Sequence, residues 1–304
     1  MEVNLEDYNL TPEQKKSAKR DVLLEAFGTC NPSENPELVY ITAGPGAGKT
    51  SVERHFIEKL KSEGKIPFIF NSDKLATYHP KSEKALRKLL PQKYYRVTRK
   101  FVRPAAPIIF DELRRMKISI INENTLDHGE SDIEQTRKFK EAGYKITVNV
   151  IATDLFESRL SCFEREARAL TAGMIPRGCS KETQMRMYNS FVETIRELEK
   201  QGLLDEVNVY TRGKSIKDGP VLVYQKGDTK YRDFQEAINL ERKRQRDKLL
   251  KNPDNYYARI QAARETIKEL GKNKDLTENA LSGLDDLERD FTDEVEKKKV
   301  LDER

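Results

Sequence analysis

The chain contains no tryptophan, only three cysteines and three histidines, and no apolar run approaching the roughly 20 residues that cross a bilayer. Each shortage excludes a class of protein. Cys30, Cys162 and Cys179 are too few and too scattered for a disulfide framework or a CxxC metal site, so they read as reduced thiols. His55, His79 and His128 show neither HExxH nor paired ligand spacing, which argues against a transition-metal centre built by the protein. The N-terminus, Met1-Glu-Val-Asn-Leu-Glu-Asp7, is acidic where a secretory signal is basic and then apolar, so a cytoplasmic location is expected. A net charge of +5 on 304 residues suits a site for anionic phosphates. It falls short of the clustered basic and aromatic surface expected of a nucleic-acid track.

What remains is a soluble-type composition, 37% hydrophobic and 35% charged, long enough for one α/β domain and an addition. Thr11-Pro-Glu-Gln14 carries a capping box and an early proline, predicting a helix to about Gly28. Short apolar runs at Leu38–Thr42, Pro67–Phe70, Ile118–Asn122, Ile146–Ala152, Val207–Tyr210 and Val221–Tyr224 predict strands, most of them separated by helical segments. Near-continuous apolar strands alternating with helices imply a parallel sheet covered on both faces. The last two, closer together, suit an antiparallel edge. From about Asp233 onward charged helical sequence takes over, with stripes at Tyr256, Ile260, Ala263, Ile267 and Leu270 and at Leu284, Leu287, Phe291 and Val295. The expected organisation is a domain over residues 1–232 and a charged helical addition over 233–304 that contains a hairpin.

The chemistry centres on Ala43-Gly-Pro-Gly-Ala-Gly-Lys-Thr50, set between a predicted strand and an amphipathic helix. Gly44, Gly46, Ala47 and Gly48 would form a tight turn whose N–H groups, with the helix N-terminus, attract phosphate. Lys49 would clamp the β- and γ-phosphates of ATP. Thr50 would ligate Mg²⁺, and Ser51 completes the binding segment. In a parallel sheet the ligand crevice lies beyond the carboxyl ends of the strands, which draws attention to Asp73 and Glu123. Asp73 suits a general base for an attacking hydroxyl; Glu123 suits a metal or acceptor contact. Thr125 follows as a second acceptor contact or as a helix N-cap. A long insert before Val207 carries Arg165 and Arg168, then Arg177 between Pro176 and Gly178, and Ser180 begins a helix expected to run to Gly202. Arg165 and Arg177 suit a lid over a transferring phosphate. The cluster Arg242-Lys-Arg-Gln-Arg246, interleaved with acids, reads as a solvated helix face.

Taken in order, Gly44-Pro-Gly-Ala-Gly-Lys-Thr-Ser51, Ser72-Asp-Lys74 with His79-Pro80, Asn122-Glu-Asn-Thr125, Phe163-Glu-Arg165 and Ile175-Pro-Arg177 make the chain similar to the zeta-toxin kinases of bacterial toxin–antitoxin systems, from the glycine loop to about Gly227. The resemblance implies a P-loop kinase fold and transfer of the ATP γ-phosphate to a sugar hydroxyl of UDP-N-acetylglucosamine. It also implies an antitoxin partner near the nucleotide. By that resemblance Asp73 would be the base, Lys49 the clamp, Thr50 the Mg²⁺ ligand, Glu123 and Thr125 substrate or metal contacts, and Arg165 with Arg177 the lid pair. Two departures fall on the acceptor side. Asn124-Thr-Leu-Asp127 stands where the family carries Gly-Thr-Gly-Arg, and Pro107 stands where it carries a glutamate. Other acceptors, such as NAD or a nucleic-acid end, and a nucleotide-gated binding module without transfer, therefore stay open beside the sugar nucleotide.

Overall fold

The computed structural model describes residues 4–176, 178–213 and 218–302. After a short 3-10 turn at Leu5–Tyr8, the first half of the chain forms α1 (Pro12–Thr29), β1 (Glu37–Thr42), α2 (Lys49–Ser62), β2 (Phe68–Asn71), α3 (Ser72–Thr77), α4 (Ser82–Lys88), α5 (Pro91–Arg115), β3 (Ile120–Glu123), α6 (Glu130–Glu141) and β4 (Lys145–Ile151). The second half forms α7 (Leu155–Thr171), α8 (Lys181–Met187), α9 (Phe191–Lys200), β5 (Glu206–Thr211), β6 (Val221–Gln225), α10 (Phe234–Lys251), α11 (Pro253–Leu270) and α12 (Lys274–Asp302). The strands lie in one sheet in the order β2-β3-β1-β4-β5-β6. All neighbours are parallel except β5 and β6, which form the antiparallel edge.

Local chemistry accounts for these elements. At the start of α1 the Thr11 hydroxyl accepts from the Gln14 N–H (3.2 Å) and the Gln14 side chain accepts from the Thr11 N–H (3.0 Å), with Pro12 in the first turn. Strand alternation divides β1 between the faces of the sheet. Leu38 and Tyr40 join the larger core with Ile146, Val148, Phe101 and Phe191, while Val39 and Ile41 meet Val52, Phe56 and Leu60 of α2. Covering both faces buries all of β1, which is why its centre, Leu38–Ile41, reads as an unbroken apolar run. The polar Asn149 survives inside because it donates to Tyr40 O (3.1 Å) and accepts from Asn208 (3.1 Å), spanning three strands.

The C-terminal stripes form the expected hairpin. Tyr256, Ile260, Ala263 and Ile267 of α11 face Leu284, Leu287, Phe291 and Val295 of α12, and both close on Phe156, Leu160, Phe163 and Ala167 of α7. Helix α10 belongs elsewhere: Phe234, Ala237 and Ile238 enter the sheet-side core.

Two expectations are corrected. The helix predicted from Ser180 to Gly202 is broken into α8 and α9. Arg242 of α10 donates to Tyr188 O (2.9 Å) and to Asn189 Oδ1 (2.7 Å), satisfying a carbonyl that the end of α8 leaves free. The same contacts correct the reading of Arg242–Arg246 as a solvated face. Arg242 is buried over the Tyr188 ring at 3.8 Å, and Arg246 stacks on Phe156 at 4.3 Å while its Nε donates to Asp154 (2.7 Å).

Candidate active site

The glycine loop leaves the end of β1 and enters α2 at Lys49. Gly46 and Gly48 have φ of 76° and 96°, and a side chain would not fit at either. A Cβ on Gly46 would lie 2.2 Å from Ser158 O, and one on Gly48 would lie 2.9 Å from Arg212 Nε. The loop is pinned by its carbonyls. Ser158 Oγ donates to Pro45 O (2.6 Å), Thr153 Oγ1 donates to Ala47 O (3.0 Å), and Arg212 donates to Ala47 O (3.0 Å) and to Gly46 O. In a trans peptide the carbonyl and the following N–H point opposite ways, so these bonds turn the N–H groups of Gly46, Ala47 and Gly48 to the other side of the loop. Such a set of inward N–H groups at a helix N-terminus is an anion cradle. Lys49 Nζ donates to Ala43 O (3.2 Å) and Gly44 O (3.1 Å). Burial holds its ammonium below the ordinary lysine range against the raising influence of Glu123. Thr50 stands exposed and Ser51 half-buried in the first turn of α2.

The strand ends bring the carboxylates to this cradle. Ile41, Glu123 and Asn71 occupy matching registers on β1, β3 and β2, so Glu123 sits one strand from the loop. Asn71 caps α3, accepting from the Asp73 N–H (2.8 Å) and Lys74 N–H (3.3 Å), while its amide donates to Glu123. Asp73 is thereby fixed in the first turn of α3, and its charge acts on both Lys49 and Arg165. Sequence reasoning missed Glu53, one turn into α2. Burial, then the charge and a hydrogen bond of Glu123, push its carboxyl up to about 7.

Beyond β3 the chain bends sharply at Leu126, which is buried with a φ of 48°. Thr125 caps no helix, since α6 starts from Gly129; its hydroxyl donates to Asp127 (2.5 Å). Arg186 of α8 pairs with the same carboxylate. Burial pulls Asp127 upward, but the Thr125 hydroxyl and Arg186 outweigh it and leave the carboxyl below its ordinary range. His79, between α3 and α4, is buried and accepts the Lys81 N–H (3.1 Å), closing a turn.

Of the predicted lid pair, Arg165 is on α7, and Arg177 lies outside the described residues. Beside the loop, the neighbouring Cys179 thiol holds the Cys162 thiol below its ordinary range against burial, with Arg165 adding to the effect. Arg212, Ser158 and Thr153 also escaped sequence reasoning. They lie far along the chain from the loop, and no motif spacing marks them. Among the described residues no helix is long and apolar enough to cross a membrane.

A six-stranded sheet with the glycine loop at the end of a central strand defines a P-loop α/β protein of the kinase type. A family model described as Zeta toxin matches residues 20–226, more than half of the chain, and the chain belongs to that family. Compared by sequence with curated proteins, it matches none. Among solved structures it is similar to one from the PezAT chromosomal toxin–antitoxin system of the human pathogen Streptococcus pneumoniae, with a TM-score of 0.61 and 18% identity over 89% of this chain and 100% of that one. It is also similar to the native AvrRxo1-ORF1:AvrRxo1-ORF2 complex (TM-score 0.56, 17% identity, 92% and 91% covered). The complex of those two proteins with ATP gives a TM-score of 0.50 at 17% identity, with 90% and 87% covered. These likenesses establish the fold.

Proposed function

We propose that this chain is an ATP-dependent phosphotransferase that moves the γ-phosphate to a hydroxyl of a small nucleotide-type substrate, a UDP-activated amino sugar first among them. The observation that carries the reading is the meeting of Asp73 and Glu123 with Lys49 beside an N–H cradle, which joins a phosphate holder to a base. The ATP complex of the AvrRxo1 pair supports the choice of nucleotide.

In this reading Gly44, Gly46, Ala47, Gly48 and Ser51 hold the phosphates and Lys49 clamps them. Asp73 accepts the acceptor's hydroxyl proton, Glu123 and Thr125 contact the acceptor, and Arg165 with Arg177 covers the transferring group. Magnesium keeps several waters and takes one or two carboxylates plus phosphate oxygens, a demand that the Glu53 and Glu123 carboxylates beside the Thr50 hydroxyl would fit. When bound, the ion would neutralise charge on those oxygens. The sequence boundary at residue 233 assigns α10 to the helical addition, but Phe234, Ala237 and Ile238 lie in the sheet-side core, so in this scheme α10 goes with the kinase unit of residues 1–232 and the α11–α12 hairpin is the addition. The toxin–antitoxin setting of the pneumococcal neighbour supports an antitoxin as a protein partner.

The test is to incubate the purified chain with ATP, Mg²⁺ and separate pools of UDP-amino sugars, NAD and oligonucleotides, and to look by mass spectrometry for a product heavier by one phosphate. Product only from the sugar nucleotide supports the full reading. Product only from NAD or oligonucleotides replaces the acceptor. ATP binding without transfer to any pool makes the chain a nucleotide-gated binding module.

A further inference from the structure

Among the described residues, Arg212, just beyond β5, is the one charged side chain outside the loop and its helix that bonds to the glycine loop's carbonyls. Its Nε donates to Ala47 O (3.0 Å) and lies 2.9 Å from where a Cβ on Gly48 would stand, and its Nη2 donates to Gly46 O. A guanidinium reaches two successive carbonyls in this way only if its plane is fixed, because an arginine side chain is otherwise rich in rotamers. Its Nη1 donates to Glu157 Oε1 (3.2 Å) and Ser161 Oγ (2.9 Å) on α7.

Glu157 is in turn held from the C-terminal hairpin. Arg259 of α11 grips it with two parallel bonds, Nη1 to Oε2 (2.8 Å) and Nη2 to Oε1 (2.8 Å), while Arg259 Nε donates to Glu164 (2.8 Å). The side chains of Arg212, Glu157, Arg259 and Glu164 are between 19% and 30% exposed, shielded enough for the pairs to outlast salt screening. Two arginines and two glutamates leave the chain of contacts electrically balanced. It runs from α11 through α7 to the peptide planes that aim the N–H groups of Ala47 and Gly48.

We propose that Arg212 is a positioning residue for the nucleotide phosphates and that Arg259, acting through Glu157, holds it in place, so that the C-terminal hairpin sets nucleotide affinity as well as closing a hydrophobic core. The inference rests on the reading of the glycine loop as a nucleotide site.

The experiment uses the full chain, with calorimetric titration of ADP and Mg²⁺, steady-state KM values for ATP and for the acceptor, and thermal melting. Arg212→Met is expected to weaken ADP binding about tenfold or more and Arg259→Met about threefold to tenfold, the range of one or two lost charged hydrogen bonds. The acceptor KM should stay unchanged. Arg259→Lys, which keeps the charge but loses the fork, should fall between wild type and Arg259→Met. Because the two act in series, the double variant should bind no more than about twofold more weakly than Arg212→Met alone. Melting-temperature losses with unchanged ADP affinity, or effects that multiply in the double variant, overturn the brace. Should Arg212→Met fail to fold, Arg212→Lys carries the test, and wild-type affinity in that protein overturns the proposal. A wild-type chain that binds neither ADP nor ATP overturns the nucleotide-site reading, and the brace with it.

Discussion

Asn71 and Glu123 stand side by side on adjacent parallel strands, joined by a hydrogen bond from the Asn71 amide to the Glu123 carboxylate. The other end of the same amide caps α3 and fixes the backbone of Asp73. One side chain thus sets the position of both acidic groups assigned to the reaction. Replacing Asp73 with Asn should abolish transfer by at least about a hundredfold, the scale of one lost transition-state group, while leaving ATP binding intact. Asn71→Ala should lower kcat by about tenfold or more with an N-cap loss of about 1 kcal/mol in stability. Single-turnover transfer assays beside calorimetric ATP binding separate the two effects. Normal turnover in Asp73→Asn would remove the assignment of the base.

Gly46 offers a stricter test of the loop. Its φ of 76° and the 2.2 Å approach to Ser158 O leave no room for a methyl group. Gly46→Ala should therefore lose nucleotide binding and destabilise the junction of the loop with α7 by about 2 kcal/mol or more. Gly44→Ala, whose Cβ would meet only Ser158 Oγ at 3.7 Å, should be much milder. Equal losses in the two variants would mean that the backbone at Gly46 is not what the loop requires.

Glu166 gives a pH dependence with a definite sign. Burial pushes its carboxyl up to about 7 from the model-peptide value of 4.5, against the lowering influence of Arg165. The folded chain therefore keeps a proton that the unfolded chain releases between those values. Its contribution to stability is fully present below about pH 4.5 and is lost as the pH rises to about 7. Glu166→Gln removes this loss and should be more stable than wild type by roughly 2–4 kcal/mol at pH 8, with the gap closing towards pH 4.5. Denaturant titrations of both proteins across that range test it. Parallel stability curves would show that Glu166 titrates normally.

Much of this molecule was legible from local signals. The capping box at Thr11, the six apolar runs and the glycine loop each depend on residues within one turn or strand, and each appears at the predicted place within a residue or two. Asp73 and Glu123 could be singled out because parallel-strand topology alone puts such residues at one edge. Arg212 and Glu53 could not be. Their roles come from partners that only folding supplies, as with the Arg212 bonds to carbonyls some 165 residues earlier in the chain. The break between α8 and α9 was hidden for the same reason, since the group that caps it comes from α10.

That capping group permits a last prediction. Arg242 is 7% exposed, 3.8 Å above the Tyr188 ring, and bonded to Tyr188 O and Asn189. Arg242→Ala strips the end of α8 of its donor and opens a cavity under α10, which should cost about 2–4 kcal/mol. Lys243→Ala, at the exposed neighbouring position, should change stability by less than about 0.5 kcal/mol. A solvated basic face would give both variants the same small effect, so the difference between them decides whether this cluster serves the fold or the surface. Since α8 carries Arg186, which pairs with Asp127 on the acceptor side, Arg242→Ala should also raise the acceptor KM more than the ATP KM. An equal rise in both would mean that α8 does not transmit its position to the acceptor loop.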